Sequence, residues 1–254
     1  MKEKWRLIID NAKDAYKNMA IDRAILTANS EKKVLPTVRF YQWNPPAISI
    51  GYFQSLKDEI DIKECEKQDV DYVRRITGGG AVFHEDELTY SIIIPESHSS
   101  IPENIMDSYS RICKALIYGL ENIDVECRYR PINDIVVKDR KISGNAQTRK
   151  KKTVLQHGTV LMDVNIERMF SLLKVPNEKR MDKMIANVKE SVTSIKNELG
   201  YQISFKPLSE AMAKGFEKEF NVEFEDDDLT DYEKKLASDF EKNCFSKKSW
   251  IYKR

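Results

Sequence analysis

Glycine and proline are scarce in this chain, 9 and 8 among 254 residues. That scarcity excludes collagen-like and low-complexity sequences. Charge of one sign is missing too. Lys and Arg number 42 against 41 Asp and Glu, a formal net charge of +1. No global field therefore draws the chain to nucleic acid or to a membrane, and neither partner is expected. Long apolar runs are absent; short ones such as residues 92–94 fall far short of a bilayer span. The opening MKEKWRLIID has no apolar segment of the signal-peptide kind. The cysteines, Cys65, Cys113, Cys127 and Cys244, form no CxxC pair and no zinc-type spacing. These absences together suggest a cytoplasmic protein with reduced thiols. What is present, 41% hydrophobic residues at near-zero net charge, is the composition of a folded chain rather than a disordered one.

Alternating and β-branched segments predict strands over 5–9, 37–43, 47–51, 70–75, 87–95, 134–137, 141–144 and 154–163. The spacing of Met106, Tyr109, Ile112, Cys113, Leu116, Ile117 and Leu120 predicts a helix over 105–120 with one apolar stripe. Other helices are expected over 15–27, 56–68, 166–173, 194–199, 208–220 and 230–242, the last capped by Thr230 or Asp231. Residues 188–194 read as a turn. Strands with intercalated helices, but without regular β-α alternation, indicate an α+β fold rather than a doubly wound one. One domain is expected over 1–254, with 205–254 as a helical extension packed on it.

Because glycines are few, their positions carry information. Six of the nine lie in or directly after predicted strands: Gly51; Gly78, Gly79 and Gly80; Gly144; and Gly158. Gly119, Gly200 and Gly215 read as turn or helix-end residues. The triple glycine lets a ligand approach the backbone, and its successive N–H groups can cradle a carboxylate or phosphate. Arg74 and Arg75 precede it and His84 follows. Neither GxGxxG nor a Walker lysine is present. A second cluster comprises Asn133-Asp134, Lys141-Ile-Ser-Gly144 and Gln156-His157-Gly158. A lysine beside a glycine turn can act as a point charge on an anion. Asn-Asp at a strand start can hold Mg²⁺ through oxygen or cap a turn. The two clusters read as one anion-handling site.

The strings Asn18-Met-Ala-Ile-Asp22, Arg39-Phe-Tyr41, Arg74-Arg-Ile-Thr-Gly-Gly-Gly-Ala-Val-Phe-His84, Asn133-Asp134, Lys141-Ile-Ser-Gly144, His157-Gly158 and Phe245-Ser-Lys-Lys-Ser-Trp250 resemble the lipoate–protein ligases and octanoyl/lipoyl transferases. The resemblance covers nearly the whole chain. It departs from the family at Arg23, where an acidic residue is usual. It implies mixed, mostly antiparallel sheets with flanking helices, as in class II aminoacyl-tRNA synthetases and biotin synthetase.

By resemblance, Arg75, Thr77, Gly78, Gly79, Gly80, His84, Ser143, Gly144, His157 and Gly158 form the lipoyl/adenylate pocket. Asn133 and Asp134 approach the nucleotide and Mg²⁺, with Asp134 as the metal ligand, and Lys141 is the catalytic cation. Asn133-Asp134 matches the ATP-using members. The expected activity is therefore a lipoate ligase, which makes lipoyl-adenylate from lipoate and MgATP and passes the lipoyl group to a lysine. The acceptors would be lipoyl domains of 2-oxoacid dehydrogenases or the glycine-cleavage H protein. Residues 200–254 are too short for the accessory domain of many bacterial ligases, so a separate accessory subunit is expected. The alternative is a cysteine-dependent octanoyltransferase, drawing octanoate from acyl carrier protein through Cys127; Glu87-Leu-Thr-Tyr-Ser91, Pro95-Glu-Ser-His98, Gly144-Asn-Ala-Gln-Thr-Arg149 and Leu155-Gln-His-Gly158 resemble those transferases. A non-enzymatic lipoyl or biotin binder would not need Lys141, and the string from Arg74 to His84 fits lipoate enzymes better than biotin ligase. The basic run from Arg149 through Lys152 is the expected docking patch for an acidic acceptor domain.

Overall fold

A computed structural model describes residues 2–174 and 178–254. Its strands are β1 (Glu3–Ile9), β2 (Thr37–Tyr41), β3 (Ala47–Ile50), β4 (Asp71–Arg74), β5 (Val82–His84), β6 (Glu87–Pro95), β7 (Arg128–Arg130), β8 (Asp134–Val137), β9 (Arg140–Lys150), β10 (Thr153–Leu161) and β11 (Val222–Asp226). Its helices are α1 (Ala15–Ser30), α2 (Leu56–Glu59), α3 (Ile62–Lys67), α4 (Ile105–Glu121), α5 (Ile166–Leu172), α6 (Glu178–Ser191), α7 (Ile195–Leu199), α8 (Phe205–Phe220), α9 (Asp231–Phe240) and α10 (Lys248–Ile251). A π-helical turn, Glu241–Phe245, joins the last two.

Eight strands form the main sheet in the order β11-β1-β2-β6-β10-β9-β8-β7. β1 runs parallel to both neighbours, and the other pairs are antiparallel. A small sheet, β4-β3-β5, carries the triple-glycine segment between β4 and β5. This is the expected mixed, mostly antiparallel α+β architecture.

Strand β6 shows how the sequence makes two cores. Side chains alternate along a strand. Leu88, Tyr90, Ile92 and Ile94 join the cluster under α4 and α8, while Ile93 joins the one under α1 and α9. With both faces covered, β6 is buried from Glu87 through Ile94. Each such Leu or Ile contributes about 1.5–3 kcal/mol. Helix α4 begins where the Asn104 side chain accepts from the Met106 and Asp107 N–H groups. It then lays its apolar stripe on the sheet.

Helix α8 crosses α4 backbone to backbone. A Cβ on Gly215 would stand 2.2 Å from the Ala115 carbonyl oxygen and 2.5 Å from the Gly119 nitrogen. Gly119 and Gly215 are thus crossing residues inside helices, not the turn or helix-end residues expected. Helix α9 starts at Thr230, which forms a capping box with Glu233. The buried Glu233 carboxylate in turn pairs with Arg6 at 3.0 Å.

Several boundaries moved. The expected helix over 56–68 splits in two because Asp61 caps α3 by accepting from the Glu64 N–H. Helix α6 runs to Ser191, into the segment read as a turn. Strand β9 continues to Lys150, since Gly144 and Asn145 pair with Thr159 and Gly158. Residues 205–254 contain a strand as well as helices, because β11 pairs in parallel with β1. Strands β5 and β7 have three residues each, too few for alternation to register in the sequence.

Candidate functional site

Residues in direct register across a sheet share a face. Asp134 pairs with Gly144 and Gly144 with Thr159, which places the three in one row; the Ala146–His157 pair forms the next row on that face. The Lys141 side chain lies over Gly144 and sets its Nζ 2.7 Å from Asp134 Oδ1. Asp134 Oδ2 accepts from Arg130 at 3.0 Å. One carboxylate therefore sits between two cations, with Lys141 and Arg130 each more than a third exposed and Asp134 less so. The row is positive on balance.

The glycine segment is held from behind. Arg75, 5% exposed, donates to the carbonyls of Gly78 and Gly80 (3.0 and 2.8 Å) and to the carbonyl and hydroxyl of Ser49 (2.6 and 2.8 Å). Burial pushes its pKa down to about 10, so it stays charged near neutrality. Its donors serve the loop. The N–H groups of Gly78, Gly79 and Gly80 donate to no protein group among the described residues, which leaves them available to a carbonyl oxygen or an anion. Only Gly79 has a left-handed φ, +96°. Gly51 is required by packing, since a Cβ there would meet the Gly79 carbonyl oxygen at 2.0 Å. Neighbouring Arg74, fully buried, donates to the carbonyls of Gly51, Tyr52, Gln54, Trp250 and Ile251, tying the end of the chain to this loop.

His157 and His84 are braces. His157 Nε2 accepts from Thr77 Oγ1 at 2.7 Å, and Nδ1 faces Asp22 Oδ2 at 3.4 Å. Burial pushes His157 down, so we assign a neutral imidazole carrying its proton on Nδ1. Burial alone would raise the Asp22 carboxyl, but His157 and Arg39 outweigh it and hold it below the usual range. Asp22 also accepts from Arg39 (2.9 Å), Tyr41 (3.1 Å) and Ser91 (3.0 Å). His84 lies between Ser49 (2.6 Å) and Glu87 (2.7 Å) and stacks on Trp43. This has the connectivity of a Ser-His-acid triad. Ser49, however, is wholly buried and bound to Arg75, so the array fixes the loop instead of offering a nucleophile.

Below Gly158, Asn145 fills the space that a side chain would occupy: a Cβ would meet its Oδ1 at 2.2 Å. Asn145 accepts from Tyr90, which accepts from Gln156. Its Nδ2 reaches the Asn133 carbonyl at 2.9 Å and Ser143 Oγ at 3.4 Å, and Asn133 Nδ2 donates to the Asn145 carbonyl. Asn133 and Ser143 thus anchor the hairpin. Asp22, Arg39, Asn145, Tyr90, Ser49 and Glu87 were not singled out for roles. Asp22 and Arg39 did lie inside the matched strings, and Glu87, Tyr90 and Asn145 lay inside the strings that resemble the transferases, though without a role assigned to any of them.

Cys127 lies elsewhere. It precedes β7 and packs with Tyr129 on the α4 core, the face opposite Arg130 and Asp134. It sits three residues from Arg130, roughly 10 Å along the strand. Burial, with Glu121 nearby, pushes its thiol up to about 12. Cys65 and Cys113 are buried, and Cys244 accepts from Arg23 at 3.1 Å.

A family model described as the lipoyl protein ligase A/B catalytic domain matches residues 14–217. The chain belongs to this family. It is 39% identical to the octanoyltransferase LipM of Clostridioides difficile, over 92% of this chain and 94% of that protein. It is 35% identical to LipM of Brevibacillus brevis (99% and 100% covered) and 33% identical to LipM of Bacillus subtilis (100% and 99%). Among solved structures, the bi-partite lipoate protein ligase of Thermoplasma acidophilum superposes with a TM-score of 0.88 at 26% identity, covering 98% of this chain and 96% of that one. A biotin protein ligase from Aquifex aeolicus, 13% identical, matches with a TM-score of 0.50 over 92% and 74% of the two chains, a likeness of fold alone.

These relatives overturn the expected ATP-dependent lipoate ligase: proteins similar over their whole length are named octanoyltransferases. The ATP and Mg²⁺ expectation loses its support with it, and the donor set does not fit the metal. Both Asp134 oxygens are bound to cations, and no cluster of three His, Cys, Asp or Glu that could hold a metal occurs among the described residues. Asn133-Asp134 misled because a carboxylate that anchors a lysine and one that binds a metal look alike in sequence. No helix among the described residues is long and apolar enough to cross a membrane.

Proposed function

We propose that the protein transfers an octanoyl group from acyl carrier protein to the acceptor lysine of a lipoyl domain or the glycine-cleavage H protein. The observation that carries the reading is the end-to-end similarity to octanoyltransferases. The positive Lys141 row beside unpaired glycine N–H groups supports it, because thioester attack needs donors where the tetrahedral oxyanion develops. The accessory subunit was expected only for adenylation and has no place in this reaction.

Cys127 is the nucleophile of this reading. Its thiolate attacks the thioester carbonyl and expels the carrier thiolate, which takes up a proton. The neutral acceptor amine then attacks the cysteine thioester, Cys127 leaves as thiolate, and the amine proton goes to solvent. In the free protein the thiol is protonated and on the far face. Strand β7 is a three-residue strand at the sheet edge, and β8 is the one strand it pairs with. Its release is the movement that would bring Cys127 to Lys141, whose charge lowers a thiol pKa. The resting placement of the thiol favours a second route, direct attack of the lysine on the carrier thioester.

Mass spectrometry of a lipoyl domain incubated with octanoyl-acyl carrier protein, without ATP, tests the reading. Wild type adds octanoate, Cys113→Ser retains transfer and Cys127→Ser loses it. Transfer surviving in Cys127→Ser establishes the direct route. No transfer from the carrier by wild type sinks the octanoyltransferase reading.

A further inference from the structure

Near-zero net charge hides an uneven surface. Lys150, at the end of β9, Lys253 and Arg254 converge on one aromatic pair, Tyr52 and Phe53. Lys253 Nζ donates to the Tyr52 hydroxyl at 2.5 Å and stands 4.4 Å from its ring centre; Lys150 Nζ is 5.2 Å from the same ring. The Arg254 guanidinium lies 5.3 Å from the Phe53 ring. Among the described residues, none of the three cations has a carboxylate within 4.0 Å, whereas Lys4, Lys33 and Lys196 each do. Phe53 is 67% exposed, more than any other exposed large apolar side chain among the described residues. The cations together hold the Tyr52 hydroxyl below its ordinary range.

The patch borders the glycine loop. The Tyr52 N–H donates to the Thr77 carbonyl at 2.8 Å, and the preceding Gly51 is packed on Gly79. Arg149, from the basic run read in the sequence, does not take part: it turns inward to Glu96 and to the carbonyls of Pro102 and Glu103. Tertiary structure thus replaces the sequential run with a cluster assembled from three distant segments.

We propose that Lys150, Lys253, Arg254 and the exposed Phe53 ring dock the acidic carrier protein that delivers the octanoyl thioester. The inference rests on the transfer reading above. Unpaired cations around an exposed aromatic suit an acidic, partly apolar protein face, since complementary charge raises the encounter rate and an aromatic anchors it. Reach selects donor over acceptor. Lys150 lies six residues along β9 from Gly144, roughly 20 Å. A thioester on a long prosthetic arm bridges such a span, and a lysine side chain does not.

The test compares wild type with the double variant Lys150→Glu/Lys253→Glu and the milder Lys150→Gln/Lys253→Gln, none of which touches the Lys141 row. KM for octanoyl-acyl carrier protein is expected to rise about tenfold or more, as for loss of steering charges, and to lose much of its salt dependence. KM for a small octanoyl thioester without protein, and for the acceptor domain, stays unchanged. Calorimetric titration of octanoyl-acyl carrier protein into each variant follows the same order without requiring turnover. Unchanged KM and affinity for the carrier overturn the proposal, as does a rise confined to the acceptor. Wild-type protein that binds the carrier through this patch but transfers nothing sinks the transfer reading and leaves the docking surface. Wild type that neither binds nor reacts sinks both.

Discussion

A methyl group added at Gly144 asks whether the position of Lys141, and not only its charge, matters to transfer. The alanine Cβ would stand 2.6 Å from both Cε and Nζ of Lys141. Carbon contacts settle at about 3.5–4.0 Å, so the end of the Lys141 side chain must move by about 1 Å. The obstacle is the far end of a flexible, part-exposed side chain, and Gly144 has no left-handed φ. The fold therefore accommodates the change for about 1 kcal/mol or less, a melting shift within roughly 2–4 °C at this chain length. The expected effect on rate is larger. Misplacing a positioned group by about 1 Å costs on the order of 10²-fold, comparable with losing one oxyanion donor.

Gly144→Ala should thus lower kcat about 10²-fold while leaving KM for the carrier nearly unchanged. Lys141→Ala sets the floor, and the double variant should fall no further, because both changes act through one ammonium. Gly158→Ala provides the contrast. Its Cβ would meet Asn145 Oδ1 at 2.2 Å and the rigid Gly144 carbonyl at 2.6 Å, so it should lose about 1–3 kcal/mol of stability. Steady-state octanoyl transfer, read by mass of the acceptor domain, and thermal melts measure both quantities. A wild-type kcat in folded Gly144→Ala refutes the reasoning. So does a double variant whose losses multiply.

Asp22→Asn removes one of the two carboxylates that pair with the buried Arg39. Breaking a buried pair costs about 3–5 kcal/mol; Asp10 remains on Arg39, so the low end applies, a melting drop of roughly 6–12 °C. Because Asp22 is held below its ordinary range, its contribution is full above about pH 4 and fades as pH falls through the folded value. The difference between wild type and Asp22→Asn should therefore shrink in acid, and a difference that grows there contradicts the ionised assignment. In the free enzyme, Cys127 should resist iodoacetamide at neutral pH, its rate climbing only toward the raised pKa of about 12. Labelling at pH 7 as fast as a free cysteine rules out the resting placement described.

The sequence carried the elements whose period repeats often enough to be seen. Helix α4 and strands β6 and β10, of 17, 9 and 9 residues, were all three found near their true limits. Short edge elements were invisible because three residues cannot show a period. The glycines were legible as a set but not by role. The sequence does not reveal that Gly79 needs its φ, that Gly51 needs its space, or that Gly78 and Gly80 would tolerate a Cβ that meets nothing within 4 Å. Arg75 and the two buried histidines could be recognised as belonging to the site. Their use as braces depends on which carbonyls and hydroxyls the small sheet folds against them, and no local pattern encodes that.

The choice between adenylation and thioester transfer was hardest to read because both chemistries make the same demand on this backbone. Adenylation gathers negative charge on phosphate oxygens and acyl transfer gathers it on a tetrahedral oxyanion, and either charge is served by glycine N–H groups and a lysine fixed to a carboxylate. A scaffold that meets that demand keeps its motifs while the leaving group changes. What the Asp134 geometry does argue against is a metal ligand. Flanked by Lys141 at 2.7 Å and Arg130 at 3.0 Å, it could take a divalent cation only by giving up both partners and bringing three positive groups together. In water-screened surroundings the attraction of one carboxylate for such a group of cations is modest, and their mutual repulsion opposes it. A site built this way gathers developing negative charge, and the proposed acyl transfer from a thioester requires that without a metal.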